Sequence, residues 1–514
     1  MRLAPAWLVP TLAALVAGCA SLPSLEGRNA SSALTDTEAT QLGKAVVPRV
    51  AAHPGLAGIY ALSLPADAFA ARGVLAAAAQ RSLDVQYYIW HDDETGILLL
   101  EALWRAAERG VRVRLLLDDN GIAGLDPMLA ALDAHPKVEV RLYNPFAHRA
   151  MRALDFITDF SRANRRMHNK SFTADNQVTI VGGRNIGNEY FGAGGGVMFA
   201  DLDVIAVGPA VRDVSRAFDL YWNSDSAYPA ASLLGKAGPE ARGELEAKFA
   251  AVHGDPGAVA YLKALRETPL VAELLEGKLP LQWAEARLLY DDPAKTLDVE
   301  DRSDLLLLPK LLQLAGRPEQ ELDLISPYFV PGDEGTAGFA EVARRGVKVR
   351  ILTNSLAATD VAAVHAGYAK RRVDLLRAGV RLYELRPTTM QKDEKEKKSF
   401  GGSSAASLHA KTFAVDGKRA FVGSFNFDPR SARLNTEMGL VIRSPVLAQR
   451  MQAALDAALP EGAYEVRLAE DGRSLYWIER TPAGEKRYDS EPGVGLLKRL
   501  GVGFLSLLPF EWLL

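Results

Sequence analysis

Two stretches of the 514-residue chain place histidine, lysine, aspartate and asparagine at the same spacing. Each begins His-x-Lys, continues to an aspartate and a Gly-Gly or Gly-Ser pair, and ends in asparagine. The first copy comprises His168, Lys170, Asp175, Gly182, Gly183 and Asn185, and the second comprises His409, Lys411, Asp416, Gly423, Ser424 and Asn426. Such a duplicated spacing of reactive residues indicates one active site that is assembled from two halves of the chain.

The two His-x-Lys pairs have the chemistry to cleave and re-form a phosphodiester. On a β-strand, side chains two residues apart lie on one face, so each pair places an imidazole beside an ammonium group. One histidine can attack phosphorus while the other, with an unperturbed pKa of about 6.5, protonates the leaving oxygen. The lysines, together with Asn185 and Asn426, would neutralise the phosphoryl oxygens. Chemistry of this kind requires neither a metal nor a cofactor.

Each copy of the motif is predicted to form a β-hairpin. Apolar and β-branched residues follow both lysines, and an Asp-Asn or Asp-Gly pair supplies the turn. Asp175 and Asp416 belong to the motif and are grouped with its catalytic residues. A turn aspartate commonly ties down backbone amides, so we expect their role to be more structural than chemical.

With both motifs intact, the chain resembles the phospholipase D superfamily, and within it is most similar to the bacterial cardiolipin synthase C type. This resemblance implies two pseudo-symmetric α/β lobes, each a mixed β-sheet flanked by helices, which share one active site. It also implies that His168 is the nucleophile and His409 the acid, whereas the nearly symmetric spacing alone leaves that assignment open. The residues that carry the resemblance are Met167–Phe172, Gly182–Phe191, Asp201–Val204 and Gly423–Ser431.

In that superfamily, a downstream carboxylate orients each histidine. We assign Glu437 to His409 and Asp201 to His168, since each of these carboxylates precedes a proline by eight residues. Asp203 is an alternative partner for His168. A carboxylate on one ring nitrogen fixes the tautomer and stabilises the imidazolium that forms during the reaction.

Internal repetition beyond the motifs indicates the domain organisation. Ser82–Trp90 resembles Glu321–Val330, and in each half an Arg-Gly pair, ending in Gly110 or Gly346, then separates a helical stretch from a strand. Repeated strand–helix–strand units predict α/β lobes. The predicted segments are an N-terminal lobe at 45–225, a helical insertion at 226–299, a C-terminal lobe at 300–460, and a hairpin with an amphipathic tail at 461–514.

The N-terminus resembles a bacterial lipoprotein signal. Arg2 precedes an apolar run, and small residues lead to Cys19. Residues 1–18 are predicted to be a signal peptide, Cys19 to be lipidated and residues 19–44 to be a linker. Because Cys19 is the only cysteine, the site cannot use a thiol nucleophile. We therefore expect a membrane-anchored lipoprotein of the bacterial cell envelope that faces the periplasm.

Composition excludes few classes of protein, but it disfavours a nucleic-acid-binding protein. Hydrophobic residues make up 48% of the chain and charged residues 24%, as in ordinary globular proteins. A formal net charge of −3 argues against a large basic surface, so nucleic acid is not an expected partner. The tail from Val494 is expected to lie in a membrane interface through Phe504, Phe510 and Trp512, or alternatively to dock on the protein body.

These observations predict a membrane-associated phosphatidyl transferase that acts through a phosphohistidine. The resemblance implies cardiolipin synthesis, with phosphatidylglycerol as acceptor, a second phospholipid such as phosphatidylethanolamine as donor, and room for an accessory protein. Water as acceptor would make the same site a phospholipase D. An exported phosphodiesterase or nuclease and a non-catalytic lipid-binding lipoprotein are the other classes that the sequence leaves open.

Overall fold

The computed structural model describes residues 21–193, 198–266, 268–297, 302–387, 406–507 and 511–514. The predicted signal peptide, Cys19, Phe510 and the side chain of Trp512 lie outside this description. The strands are β1 Ala57–Leu62, β2 Ser82–Ile89, β3 Arg112–Gly121, β4 Val138–Tyr143, β5 Ser171–Ala174, β6 Val178–Gly182, β7 Met198–Ala200, β8 Asp203–Val207, β9 Ala227–Pro229, β10 Gln282–Tyr290, β11 Glu321–Ile325, β12 Lys348–Asn354, β13 Arg381–Leu385, β14 Ala406–Leu408, β15 Lys411–Val415, β16 Arg419–Gly423, β17 Met438–Arg443, β18 Ala463–Leu468, β19 Leu475–Thr481 and β20 Gly484–Tyr488.

Helices cover the faces of these strands. The α-helices are Gln41–Ala51, Pro65–Ala78, Glu94–Glu108, Asp126–Asp133, Asp155–Thr158, Phe160–Ala163, Asn188–Phe191, Pro209–Trp222, Ala230–Leu234, Ala241–Gly254, Pro256–Arg266, Pro269–Leu275, Leu307–Ala315, Gly332–Arg344, Ala362–Ala369, Arg372–Arg377, Pro429–Arg433, Pro445–Gly462 and Leu496–Ser506. Short 3-10 helices lie at Arg149–Leu154, Pro293–Leu297, Ser303–Leu305 and Glu511–Leu513.

Within the described residues, eighteen strands form one continuous sheet whose two halves repeat the same plan. In the N-terminal half, β4, β3 and β2 are parallel, and β5, β6 and β8 follow as antiparallel strands. In the C-terminal half, β13, β12 and β11 are parallel, and β15, β16 and β17 follow in the same way. The predicted fold class, two pseudo-symmetric lobes each with a mixed sheet and flanking helices, is confirmed.

The repeat extends to a buried ion pair between the first two parallel strands of each lobe. Arg114 donates to Asp84 over 2.7 Å, and Arg350 donates to Asp323 over 2.6 Å. All four side chains are buried. A buried charge is tolerated when it is paired and hydrogen-bonded, so the same internal contact stabilises both halves.

Strand β10 joins the lobes, because its start pairs with β1 and its remainder with β17. The prediction that 226–299 is a helical insertion is therefore wrong in part. Its described residues do contain four α-helices and one 3-10 helix, but they also contain β9 and β10. The inward positions Ala284 and Ala286 are small, and alanine is a weak strand former, so the strand signal is hidden in the sequence.

After the C-terminal lobe, β18 and β19 pair around the Asp471-Gly472 turn, and β20 extends them. The helix Leu496–Ser506 then packs on the lobe through Val502, which lies in a cluster with Leu356 and Ala366. None of the helices in the described ranges has the length and apolar character needed to cross a bilayer.

Candidate active site

Backbone hydrogen bonds hold each catalytic motif against the opposite lobe. The His168 amide donates to the Thr436 carbonyl over 2.8 Å, and the His409 amide donates to the Ala200 carbonyl over 2.9 Å. Strand β14, which ends directly before His409, pairs in parallel with β7 of the N-terminal lobe. The two histidines therefore meet where segments of the lobes cross.

The carboxylate partners of the histidines also cross between lobes. His168 Nδ1 lies 2.8 Å from Glu437 Oε2, and His409 Nδ1 lies 2.5 Å from Asp201 Oδ2. The predicted pairing of Glu437 with His409 and of Asp201 with His168 is wrong. The repeat spacing identifies both carboxylates, but it carries no information about which lobe each one faces. Because Nδ1 is occupied in both rings, Nε2 is the atom that faces a substrate.

Asp203, the alternative partner for His168, is occupied elsewhere. Its carboxylate accepts a hydrogen bond of 2.8 Å from Arg72 and another from the Arg184 amide. Both side chains of the Arg72–Asp203 ion pair are buried in the N-terminal lobe. Asp203 is thus a structural residue of this lobe.

Glu437 is enclosed by hydroxyl donors. Ser424 Oγ donates to Oε2 over 2.5 Å and Ser431 Oγ donates to Oε1 over 2.9 Å. Burial nevertheless raises the pKa of Glu437 to about 7, against the lowering effect of the Lys170 charge and of these hydroxyls. The carboxyl group is therefore partly protonated near neutral pH.

Asp201 occupies a different environment. A Cβ atom at Gly183 would lie 2.3 Å from Asp201 Oδ1, so only glycine fits here. Burial acts to raise the pKa of Asp201, but the charge and hydrogen bond of His409 and the charge of Lys411 outweigh it and lower the pKa to about 2. Asp201 is thus ionised at every pH at which the protein is expected to work.

Two buried lysines lie beside the histidines and complete the site. Lys170 Nζ donates to the carbonyl of His168 and Lys411 Nζ to that of His409, each over 2.5 Å. Burial lowers the pKa of Lys411 to about 8 and holds the pKa of Lys170 well below its ordinary value. An ammonium group has three donors, so each lysine keeps hydrogen atoms for an anionic ligand.

The pKa values of the histidines indicate that they share one site. Burial, followed by the charges of Lys170, Lys411 and His409, holds the pKa of His168 well below its ordinary value. Burial and the charge of Lys411 lower the pKa of His409 to about 4, although Asp201 opposes the shift. Both imidazoles are therefore neutral, and hence nucleophilic, before an anion binds.

Comparison with known proteins agrees with this geometry. Residues 75–222 and 311–459 match the family model described as cardiolipin synthase, PLD-like domain, one match in each lobe. The chain belongs to this family. The predicted membership of the phospholipase D superfamily is thereby confirmed, and the chain is an enzyme of that superfamily.

Similar proteins and structures cover most of the chain. Cardiolipin synthase C of Escherichia coli (strain K12) is 51% identical over 92% of this chain and 100% of its own length. An uncharacterised protein of Helicobacter pylori (strain ATCC 700392 / 26695) is 31% identical over 85% of this chain and 86% of its own. The crystal structure of phosphatidylserine synthase from Haemophilus influenzae Rd KW20, at 15% identity and a TM-score of 0.57, covers 92% of this chain and 100% of that chain, and shows the same fold.

The aspartates of the family motif do not reach the histidines. Asp175 accepts hydrogen bonds from the backbone amides of residues 80–82, and Asp416 from those of residues 319–321. Each aspartate lies in the hairpin turn, with a φ of 50° or 53°, at the end of its strand remote from the catalytic lysine. Their grouping with the catalytic residues is corrected, because they anchor the start of β2 or β11.

The two motif asparagines differ in their surroundings. Asn185 Oδ1 accepts from the Ile89 amide over 3.2 Å, and its amide group donates to the Tyr190 hydroxyl over 3.0 Å. Asn426 is buried, and its Oδ1 has no hydrogen-bond partner in the described part of the chain. Asn185 thus positions a ring beside His409, since the Tyr190 and His409 rings are 5.1 Å apart.

Sequence reasoning missed the aromatic walls of the site. The Tyr88 ring lies edge-on to His168 at 5.0 Å, and Phe199 stacks on His409 at 5.3 Å. Tyr88 lies near the carboxyl end of the parallel strand β2, at the edge of the sheet where ligands of open α/β sheets bind. That position was the available signal for Tyr88, whereas Phe199 offers no comparable one.

Two buried aspartates that support the site were also missed. Asp118 accepts from the Met167 amide over 2.7 Å, and Asp291 accepts from the Glu437 amide over 2.8 Å. Asp291 thus holds Glu437 itself, and Asp118 holds the residue directly before His168. Asp118 could have been found, because it ends the apolar stretch of a parallel strand.

Two groups of side chains in the described ranges have the spacing of metal ligands, and neither includes a catalytic histidine. One is His91, Asp93 and Glu189, and the other is His365, Glu384 and Glu491. In the second group, Arg372 already donates to both glutamates over 2.9 and 2.6 Å, so a cationic group occupies that position.

Proposed function

We propose that this enzyme transfers a phosphatidyl group between phospholipids to make cardiolipin. The observation that carries the proposal is the crossed arrangement of two His–carboxylate pairs around one lysine pair, which suits double displacement at a phosphodiester. The 51% identity to a cardiolipin synthase C supports the product. Phosphatidylglycerol is the proposed acceptor and phosphatidylethanolamine the proposed donor.

In the first step, His168 Nε2 attacks the phosphorus atom of the donor. A P–N bond forms, the bond between phosphorus and the head-group oxygen breaks, and His409 gives that oxygen a proton. The less ionised Glu437 leaves His168 a neutral nucleophile, whereas the ionised Asp201 favours a protonated His409. Binding of the anionic phosphodiester supports this protonation further, since a nearby negative charge raises the pKa of an imidazole.

In the second step, His409 removes a proton from a hydroxyl group of the acceptor. The acceptor oxygen attacks phosphorus, the P–N bond breaks, and His168 returns to the neutral state. Lys170 and Lys411 neutralise the equatorial phosphoryl oxygens in both steps, with Asn426 as a neutral donor beside them. His409 thus regains the proton that it gave to the head group in the first step, and His168 is released from phosphorus.

The proposed location is the bacterial cell envelope, with the enzyme attached through a lipid on Cys19 and facing the periplasm. The Gly18-Cys19 sequence after an apolar run supports this attachment. Incorporation of radiolabelled palmitate tests it. Labelling of the wild type and its loss in Cys19→Ser are expected, whereas equal labelling of both would contradict the anchor.

Lipid mass spectrometry tests the function. Bacteria without endogenous cardiolipin synthases would express the wild type or His168→Ala at matched levels, and the purified proteins would be assayed on mixed vesicles with and without cell extract. Extract supplies any accessory protein. New cardiolipin from the wild type alone is expected, while phosphatidic acid in its place would identify water as the acceptor and a phospholipase D.

A further inference from the structure

Two clusters of exposed apolar side chains lie on segments that are connected to the catalytic motifs. The first, here called the rim segment, comprises residues 149–160, with Met151, Phe156, Ile157 and Phe160 exposed. The second is the C-terminal helix, Leu496–Ser506 with Leu507, which exposes Leu496, Leu497, Leu500, Phe504 and Leu507. Contiguous exposed apolar patches, unlike single exposed apolar residues, mark interaction surfaces.

The rim segment is fixed to the protein by its polar residues, which leaves its apolar side chains outward. Asp155 accepts from the Ala147 amide over 2.6 Å, and Arg149 donates to the Asp126 carboxylate over 2.6 Å. The segment leads directly to the residues that precede His168. Ile157 is 79% exposed although the chain around it is well anchored.

The C-terminal helix is likewise held in one orientation. Val502 packs inward, while Lys498 Nζ donates to the Leu356 carbonyl over 2.9 Å. The loop that begins at Leu356 also bonds to the approach to His409, since Ser407 Oγ donates to the Ala358 carbonyl over 3.1 Å. One loop therefore separates the helix from the catalytic histidine.

The end of the chain connects the two clusters. The Arg430 guanidinium donates to the carbonyl of Asn164, just beyond the rim segment, over 3.0 Å and to that of Leu513 over 3.1 Å. The last residues of the chain and the residues just beyond the rim segment therefore share the Arg430 side chain as a partner. Each cluster is thus joined to the approach to one catalytic histidine.

We propose that the rim segment and the C-terminal helix together form a docking surface that seats the cleft on a phospholipid bilayer. This inference rests on the proposed function, because a phospholipid presents its phosphodiester at the bilayer surface. Charge supports a bilayer over a second copy of this acidic chain: residues 494–507 include Lys498 and Arg499 and no acidic residue, which suits anionic phosphatidylglycerol.

Vesicle flotation tests the surface without requiring catalysis. The protein would be residues 19–514 with Cys19→Ser, which retains every described strand and helix but no acyl chain. On vesicles of phosphatidylglycerol and phosphatidylethanolamine, we expect the wild type to float. Ile157→Glu and Phe504→Glu should each weaken partitioning about tenfold, because each replaces an inserted apolar side chain with a charge.

The matched control is Val446→Glu. Val446 is 48% exposed and lies beyond the end of β17 that is remote from Glu437. The Val446→Glu variant should therefore bind the vesicles as strongly as the wild type does. The proposal is overturned if the wild type does not float or if all three variants float equally. A fall in molar mass of Ile157→Glu in solution would instead identify a protein interface and also overturn it.

A second measurement reports insertion directly. Because Cys19 is the only native cysteine, Ile157→Cys in the Cys19→Ser background carries a single environment-sensitive label. A blue shift with vesicles and quenching by brominated acyl chains are expected, and a label that stays in water would overturn the proposal. If docking is observed but no cardiolipin is made, the proposed function fails while the docking surface stands.

Discussion

The two halves of the site use the same motif to place different carboxylates. In the half that contains His168, the partner is the longer Glu437, which accepts hydrogen bonds from Ser424 and Ser431. In the half that contains His409, the partner is the shorter Asp201, which lies against Gly183. Ser424 and Gly183 hold equivalent positions in the two motifs. The halves therefore differ there by the hydroxymethyl side chain of serine, and they also differ in their carboxylate, Glu437 or Asp201.

This difference gives the two histidines different electrostatic surroundings. Burial raises the pKa of Glu437 to about 7, whereas His409 and Lys411, acting against burial, lower that of Asp201 to about 2. An ionised partner stabilises an imidazolium more than a partly protonated one does. The difference thus supports the proposed roles, a nucleophile beside Glu437 and an acid beside Asp201, although the motifs are nearly identical.

The largest expected effect comes from removing either histidine, and the choice of substrate separates their roles. His168→Ala and His409→Ala should each lower transfer from a phospholipid by about 10³-fold or more. The nitrophenol leaving group of a p-nitrophenyl phosphodiester needs no proton from an acid. With this substrate, His409→Ala should still release a burst of nitrophenol and His168→Ala should not. Stopped-flow absorbance measures the burst, and a burst in His168→Ala alone would reverse the assignment.

Each histidine contacts a carboxylate of the opposite lobe, and this crossed pairing predicts which variants have similar kinetics. Asp201→Asn should lower phospholipid transfer about 10²-fold and keep the nitrophenol burst, as His409→Ala does, although Asp201 belongs to the lobe of His168. Steady-state and burst kinetics on both substrates provide the check. Asp213→Asn, a change at a surface ion pair of that lobe, is the control. Loss of the burst in Asp201→Asn would contradict the crossed pairing.

The sequence was sufficient to find the two carboxylates that contact the histidines, but not to decide which carboxylate contacts which histidine. His168 and Lys170 are two residues apart directly before β5, so the local sequence brings them together and the doubled spacing indicates the chemistry. The contacts of Asp201 and Glu437 depend on how β7 meets β14 and how Thr436 meets the approach to His168. These contacts join residues that are more than 200 positions apart. Which histidine contacts which carboxylate therefore cannot be inferred from the sequence without the fold.

The same reasoning explains the other departures. β10 is hidden because Ala284 and Ala286 are poor strand formers, while its role comes from pairing with both lobes. Gly110 and Gly346, in contrast, follow helices with φ of 93° and 88°, as the Arg-Gly pairs predict. Local conformational signals were readable, and long-range pairing was not.

A smaller effect is expected where the halves differ by Ser424. Ser424→Ala removes a hydrogen bond that lowers the pKa of Glu437, so this carboxyl group should stay protonated to higher pH. Since the phosphorylated His168 is better stabilised by an ionised partner, the acidic limb of the pH–rate profile should move to higher pH, with a loss of about tenfold at neutral pH. Ser215→Ala, at a buried serine that bonds Asn176, should leave the profile unchanged. An unshifted acidic limb in Ser424→Ala would show that Glu437 does not titrate in the reaction.

The smallest effect on catalysis is expected at the motif aspartates, where the two halves are alike. Asp175→Ala and Asp416→Ala should each lower the free energy of unfolding by about 1–3 kcal/mol while leaving the rate per folded molecule within about twofold, because each leaves backbone donors of a strand start without an acceptor. Urea unfolding and active-site titration by the nitrophenol burst measure the two quantities separately. Asp175 is fully buried and Asp416 is not, so the larger loss is expected at Asp175. The backbone amides outweigh burial and lower the pKa of Asp416, so its contribution is present above the ordinary carboxyl pKa and is lost as pH falls through the lowered value. A large loss of rate with unchanged unfolding would instead assign these aspartates to the chemistry and extend the asymmetry of the halves to the turn.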